Sequence, residues 1–206
     1  MLNLILCIGT AGTAAKAEEV RPPFMASGIK ICEVTVTSAI VWTRLTREPS
    51  RASEANPVPD VLYTNPETGG LVPRKGRPSW KPTVYWPPGY DINNIKGAVP
   101  GTAGDVRISY RPAGNEGEWA KTSWKPVGTD RDYTRQVLLD RLKPGTLYSF
   151  RVESRNGTLL GQMREGAFKT APAAAKASKV VFTVVTGQGN NGQESDRGFK
   201  IYPQMQ

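Results

Sequence analysis

The sequence predicts a mainly β protein, and three observations lead to that fold class. The 206 residues include 21 glycines and 17 prolines, an abundance of turn formers that is typical of loop-rich β proteins. Several short segments alternate apolar and polar residues with a period of two, which is the pattern of strands with one buried face. The turn sequence KPGT at 143–146 leads straight into the clearest of these segments, which favours neighbouring strands joined by tight turns.

The first strand pattern lies within residues 24–45. Val34 and Val36 fall on one face, and after a break Ile40 and Trp42 share a face. This alternation predicts strands joined by a turn. We expect Trp42 to pack in the core.

Residues 46–80 lose the strand pattern and are rich in proline, glycine, serine and charge. We interpret them as a long insertion between strands, of the kind that is usually functional or mobile. The densest basic cluster of the chain lies here, next to two tryptophans: Arg74, Lys75, Arg77, Lys81, Trp80 and Trp86. No nucleic-acid motif frames this cluster, so a solvated loop is the simpler interpretation and no nucleic-acid partner is expected.

The second half of the chain contains the most regular strand patterns. Alternating apolar positions predict buried strand faces at Val106, Ile108 and Tyr110, at Val137 and Leu139, and at Tyr148, Phe150 and Val152. Arg151 and Glu153 then point the other way. A tyrosine at the start of such a strand can return its hydroxyl to the turn before it, as in the tyrosine corner of sandwich domains. Residues 164–172 supply a last edge strand that Pro172 closes.

Three parts of the chain resemble a fibronectin type III domain: Trp42 on an early strand, VRISYRPAG at 106–114 and LDRLKPGTLYSFRVES at 139–154. The resemblance spans residues 24–172, interrupted by the insertion. It implies an antiparallel β-sandwich in which Trp42, Tyr148 and Phe150 serve packing rather than chemistry.

The two ends of the chain suggest further segments. Residues 1–17 resemble a signal peptide, with an apolar run at 2–8 and a small-x-small site at 15–17, so we expect export to the periplasm or the extracellular space. The apolar run is far shorter than the ~20 residues that span a bilayer. Residues 173–178 resemble a linker. The valine-rich residues 179–185 predict a buried strand that opens an α/β domain, of which one βα unit would fit within 179–206.

The order of these parts resembles the PhoD-like alkaline phosphatases. The resemblance is carried by ASG at 26–28 before SAIVWTRL at 38–45, by FTVVTGQG at 182–189 and by GFKIYPQM at 198–205. It implies an exported enzyme with a fibronectin-like amino-terminal domain and a metallophosphoesterase domain. That whole enzyme would bind Ca, Fe or Zn and hydrolyse phosphomonoesters or phosphodiesters.

The same resemblance places no catalytic, cofactor-binding or metal-ligating residue in this chain. Gly187 stands where the family often has a cysteine that can ligate iron, and glycine has no side chain to coordinate a metal. The acidic, asparagine and histidine motifs that would follow are expected beyond residue 206, so this chain alone is expected to be inactive. Thr186 and Gln188 are candidates for the rim of the active site.

Histidine and cysteine usage narrows the chemistry further. The chain has no histidine, which excludes a Ser-His-Asp triad or a histidine-bearing metal centre built from this chain alone. Cys7 belongs to the expected signal peptide, and Cys32 would then have no partner for an internal disulfide. We expect Cys32 to be a buried small residue.

Two functional hypotheses from different classes remain. The chain is either the amino-terminal part of a PhoD-like phosphatase or a secreted fibronectin-like binding module without enzymatic activity. The tryptophans and the insertion motivate the binding module, which would recognise a carbohydrate or a protein.

Overall fold

Eleven strands form in the part of the chain that the computed structural model describes, namely residues 20–73 and 80–179 together with Val181 and Val184. The expected signal peptide and nearly all of the expected βα unit lie outside the described residues. The strands are β1 Ile29–Cys32, β2 Ala39–Arg44, β3 Asp60–Thr64, β4 Leu71–Val72, β5 Pro82–Tyr85, β6 Gly104–Pro112, β7 Ala120–Lys121, β8 Lys125–Val127, β9 Thr134–Leu139, β10 Leu147–Asn156 and β11 Leu159–Lys169.

Two antiparallel sheets form the sandwich. The smaller has the order β1-β2-β9, and the larger has the order β11-β10-β6, with β7 and β8 both paired to β6. This is the fibronectin type III-like β-sandwich that the sequence predicts. The described part contains no helix long and apolar enough to cross a bilayer. The core between the sheets consists of Met25, Ala39, Val41, Leu45, Val106, Ile108, Val127, Val137, Leu139, Leu142, Tyr148, Phe150, Val152 and Phe168.

The turn before β10 is the tyrosine corner that the sequence predicts. The backbone N–H of Lys143 donates a hydrogen bond of 2.9 Å to the hydroxyl of Tyr148. Gly145 takes a left-handed φ of 59°, a conformation that costs glycine little because it has no Cβ. The buried faces predicted for β6, β9 and β10 are confirmed, with Val106, Ile108 and Val152 fully buried. Tyr110 on β6 is only partly buried, although it packs against the core.

The first hairpin differs from the prediction. β1 ends at Cys32 because Glu33 adopts a left-handed φ of 46°, so Val34 and Val36 lie in the turn and not on a strand face. Thr35 closes this turn, since its Oγ1 accepts hydrogen bonds from the N–H groups of residues 37 and 38.

Trp42 and Cys32 do not lie in the core, contrary to the predictions. On β2 the fully buried positions are Ala39, Val41 and Thr43, so Trp42 points to the opposite side. There it lies across from Lys30, whose Nζ is 5.2 Å from the indole centroid. Cys32 is exposed for the same reason, because it shares the outward side of β1 with Lys30.

The insertion contains regular structure. β3, β4 and β5 form a separate three-stranded antiparallel sheet in the order β4-β3-β5, of which β3 and β4 lie within residues 46–80. Backbone hydrogen bonds from Arg47 to Pro100 and from Ala52 to Ala98 close its base. The insertion therefore leaves the sandwich after β2 and returns to it before β6.

Candidate binding face of the larger sheet

The rim candidates Thr186 and Gln188 lie outside the described residues. Among the residues that are described, His, Cys, Asp and Glu side chains do not gather into a group of three or more that could hold a metal ion. The largest concentration of interacting polar and aromatic side chains instead lies on the outer face of β6 and β10. We call this surface the Trp–Arg face; it comprises Asp105, Arg107, Ser109, Arg111, Trp119, Trp124, Arg151, Glu153 and Arg155.

The face follows from strand periodicity. On β10, Phe150 and Val152 point into the core, so Arg151 and Glu153 point outward. The same alternation on β6 turns the outward residues toward those of β10. The antiparallel register places Arg107 opposite Glu153, Ser109 opposite Arg151 and Asp105 opposite Arg155.

Each of the two tryptophans contacts two arginines. The indole of Trp124 lies 4.5 Å from the Cζ of Arg107 and 4.3 Å from that of Arg155. Trp119 lies 4.6 Å and 4.3 Å from the corresponding atoms of Arg111 and Arg151. Guanidinium groups at such distances are attracted by the ring quadrupole, and each contact contributes on the order of 0.5–1 kcal/mol at exposed sites.

The edge of the sheet explains how the two indoles reach these arginines. β7 and β8 each pair with β6, and a break at residues 122–124 separates them. Trp119 directly precedes β7, and Trp124 directly precedes β8. Because this edge is interrupted, Trp119 lies near Arg111 and Arg151. Trp124 lies near Arg107 and Arg155.

The two arginines that contact Trp124 also form ion pairs with acidic residues of the neighbouring strand. Arg107 donates two hydrogen bonds to the carboxylate of Glu153, at 2.9 and 2.8 Å, and the Ser109 hydroxyl adds a third at 2.7 Å. Arg155 pairs with Asp105 at 3.0 Å. Bidentate pairing fixes the plane of a guanidinium group as well as its position, so Arg107 is held in one orientation on this face.

Hydrogen bonding by Arg107 lowers the pKa of Glu153 below its ordinary value of 4.5, and the Ser109 hydroxyl adds to this effect, although partial burial opposes both. A depressed pKa means that the folded state favours the ionised carboxylate. The resulting stabilisation is present above the unfolded value near 4.5 and is lost as pH falls through the lower folded value.

We therefore expect Glu153→Gln to lower the free energy of unfolding at neutral pH, and the difference from wild type to shrink below pH 4.5. Urea unfolding at neutral pH and at about pH 3 measures this change. Glu165→Gln is a matched control, because Glu165 also pairs with an arginine but is 58% exposed. An equal loss at both pH values would contradict the role given to the carboxylate.

The chemistry of this face suits binding rather than proton transfer or nucleophilic attack. Its acidic side chains, Asp105 and Glu153, are engaged by arginines, and it carries no histidine or cysteine. Trp119 and Trp124 are both half-buried. The predictions above miss this face, although the sequence carries a signal for it: polar residues occupy every second position of β6, namely Asp105, Arg107, Ser109 and Arg111, and alternate with apolar residues.

Comparisons with known proteins give only structural likeness. No family model matches the chain, and no curated protein matches it. The structure of PhoD matches with 18% identity over 77% of this chain and 21% of its own, at a TM-score of 0.41. The fibronectin type III domain of human collagen alpha-1(XX) has 14% identity over 82% of this chain and 100% of its own, at a TM-score of 0.37. A sensor domain of the anti-sigma factor RsgI4 of Pseudobacteroides cellulosolvens has 16% identity over 75% of this chain and 99% of its own, at a TM-score of 0.36.

This chain thus spans about a fifth of the PhoD chain, or 21% of its length. The assignment of the fold rests on the strand order and the tyrosine corner of the chain itself.

Proposed function

We propose that this chain supplies the noncatalytic sandwich of an exported PhoD-like phosphoesterase, whose hydrolytic centre is built by residues beyond this chain. The observation that carries the proposal is the set of hydrogen bonds and ion pairs that the ASG and SAIVWTRL segments make in this fold. A sandwich needs only alternating apolar residues at these positions. Here the segments form specific contacts that join residues 25–28, the β1–β2 hairpin and the insertion.

The ASG segment is held by hydrogen bonds on both sides. The N–H of Gly28 donates to the carbonyl of Met25 at 2.9 Å, with a φ of 73° that favours glycine. The N–H of Ala26 donates to the hydroxyl of Thr46 at 3.0 Å. Met25 and Thr46 are fully buried, so this turn seals one end of the core.

Arg44 of the WTRL segment connects the sandwich to the insertion. One guanidinium nitrogen donates to the carbonyl of Val99 at 2.7 Å, and another pairs with Asp132 at 3.0 Å. The Arg44 side chain is only 15% exposed, so these partners offset the cost of removing its charge from water. The residues that carry the family resemblance therefore serve the architecture of an insertion-bearing sandwich.

Among the described residues, no group of three or more His, Cys, Asp or Glu side chains could hold the metals of such an enzyme. In the whole protein the metal ions would supply an activated hydroxide and stabilise the charge that develops on the phosphoryl group. The contribution of this chain is to fold, and to present its loops beside the catalytic domain.

We expect the purified chain to give no metal-dependent hydrolysis of p-nitrophenyl phosphate or bis-p-nitrophenyl phosphate with Ca²⁺, Fe³⁺ or Zn²⁺. The protein encoded by the same reading frame, continued past the codon for Gln206, is expected to hydrolyse at least one of these substrates. Turnover by the chain alone would contradict its assignment as noncatalytic. A continuation without aspartate, asparagine and histidine motifs would contradict the family.

The Trp–Arg face favours a second candidate, a secreted fibronectin-like module that binds a carbohydrate or a protein. Its half-buried indoles and the arginines that lie against them offer flat apolar surface beside hydrogen-bond donors, a combination that binding sites use. A stop codon directly after Gln206, together with quenching of tryptophan fluorescence by a soluble polysaccharide, would favour this candidate over the phosphoesterase.

A further inference from the structure

The two ends of the Trp–Arg face differ in charge. At one end, Arg107 pairs with the carboxylate of Glu153 at 2.8 Å. Beside this pair, Arg155 and Asp105 lie 3.0 Å apart. All four side chains are 23–34% exposed. Their charges cancel, and only a small part of each is open to a ligand.

The other end, around Trp119, has an excess of positive charge. Arg151 and Arg111 both lie against this indole. Arg151 pairs with Glu165 at 2.7 Å, and the two side chains are 40% and 58% exposed. Arg111 instead donates to the backbone carbonyl of Gly117 at 3.0 Å. Among the described residues, no carboxylate forms an ion pair with Arg111.

Two lysines add to this excess. Lys121 of β7 lies opposite Ser109, and Lys169 of β11 lies opposite Leu147, which alternates with buried residues of β10. Directly opposed residues share one side of a sheet, so both lysines lie on the side of the Trp–Arg face. Both are exposed, and neither pairs with a carboxylate of the described residues. Arg111, Lys121 and Lys169 are therefore unbalanced cations, and we call them the cationic end.

The cationic end is wide. The strands follow one another in the order β11-β10-β6-β7. Neighbouring strands lie about 4.8 Å apart, so Lys121 and Lys169 are separated by three such spacings, roughly 14 Å. One small anion cannot contact both lysines. A chain that carries a negative charge on each repeating unit can contact both, and it gains avidity from several weak contacts.

We propose that the cationic end binds a linear polysaccharide whose sugars carry carboxylates, a polyuronate. Arginines on this side of the sheet already pair with carboxylates of the chain itself in three places. Sugar hydroxyls both donate and accept hydrogen bonds, and the exposed Arg151 and Glu165 offer a donor and an acceptor side by side. The proposal rests on the second candidate function and names its class of ligand.

Other polyanions match the surface less well. Single-stranded nucleic acid stacks its bases on open aromatic rings, but each indole here already has two guanidinium groups within 4.6 Å of its centroid. An acidic peptide can add a strand to a free sheet edge, but Arg111 lies on β6, which has neighbours on both sides. A polyuronate needs neither an open ring nor a free edge.

Calorimetric titration with polygalacturonate tests the proposal on the chain as it stands. The fully methyl-esterified polymer is the matched ligand, because it has the same sugar chain without the charges. We expect binding of the acid form, little binding of the ester, and loss of binding in about 0.5 M salt, where charges are screened within a few ångströms. The double variant Arg111→Gln, Lys121→Gln is expected to weaken binding about tenfold.

The double variant Lys30→Gln, Lys176→Gln is the matched control. It removes the same charge from other places, since Lys30 lies over Trp42 on the smaller sheet and Lys176 follows β11. This control is expected to bind as wild type does. Unaltered circular dichroism shows that each variant folds. Lys121→Gln alone, at an exposed position, is a milder second variant and is expected to weaken binding about threefold.

Four results would overturn the proposal. Equal binding of the acid and the ester would leave a carbohydrate-binding module in place but remove the role of charge. Equal weakening by the two double variants, or tighter binding of single-stranded DNA than of polygalacturonate, would mean general attraction to polyanions. Absence of binding at low salt would exclude polyuronates as ligands of the second candidate. None of these results bears on the phosphatase assay, so the phosphoesterase proposal fails or stands separately.

Discussion

Replacing Phe150 with alanine is expected to lower the free energy of unfolding by about 3–5 kcal/mol. Phe150 is only 2% exposed, and its ring lies 5.9 Å from that of Phe168 at an angle of 55°. Alanine would leave a cavity between the sheets that neighbouring strands cannot close without moving. Chemical denaturation measures the loss, and Phe150→Leu, which keeps most of the volume, is expected to lose much less.

Gly166 makes this prediction more specific. It lies directly opposite Phe150 on β11, and a Cβ at Gly166 would come within 2.6 Å of the Phe150 ring. We therefore expect Gly166→Val to be destabilising in wild type but much less so in the Phe150→Ala background. Additive effects of the two substitutions would mean that the ring does not occupy the space above Gly166.

Features set by local sequence were the ones that could be predicted. The alternation of Tyr148, Phe150 and Val152 fixes which side of β10 is buried, because the period of a strand is two. The turn at 143–146 fixes where β10 begins. Both predictions need only a dozen consecutive residues, and both are confirmed.

The first hairpin shows where local patterns fail. Val34 and Trp42 fit a strand pattern as well as Ile31 and Val41 do, and the sequence does not indicate which set faces the core. The left-handed conformation of Glu33 decides the matter by ending β1 early. Pairing between β1 and β2 then sets the side on which Trp42 lies, and that pairing depends on the whole sheet.

Predicting the candidate binding face would have required knowledge of strand pairing over an even longer range. The bond between Arg107 and Glu153 joins residues 46 positions apart in sequence, and it follows from the pairing of β6 with β10. The three-stranded sheet of the insertion likewise needs β3 to pair with β5 across a basic segment whose sequence has no strand pattern. Alternation can show that Arg107 points outward, but only the register shows that Glu153 lies opposite it.

The hydroxyl of Tyr148 provides a test of the corner that closes the sandwich. Tyr148→Phe keeps the ring, which stacks on Phe168 at 5.5 Å, but removes the acceptor for the N–H of Lys143. A backbone donor left without a partner in a partly buried turn costs about 1–3 kcal/mol. We therefore expect a loss of that size on chemical denaturation, with faster amide hydrogen exchange at Lys143 under native conditions.

Tyr110→Phe is the matched control within the same aromatic cluster. Its ring centroid lies 6.3 Å from that of Tyr148, and it packs against the core from a partly buried position. Since the substitution removes no acceptor from the corner, its effect is expected to stay within about 0.5 kcal/mol. Equal losses for the two variants would place the stabilisation in the rings rather than in the hydrogen bond. The corner would then be a matter of packing alone, and the exchange rate at Lys143 would not respond to the hydroxyl.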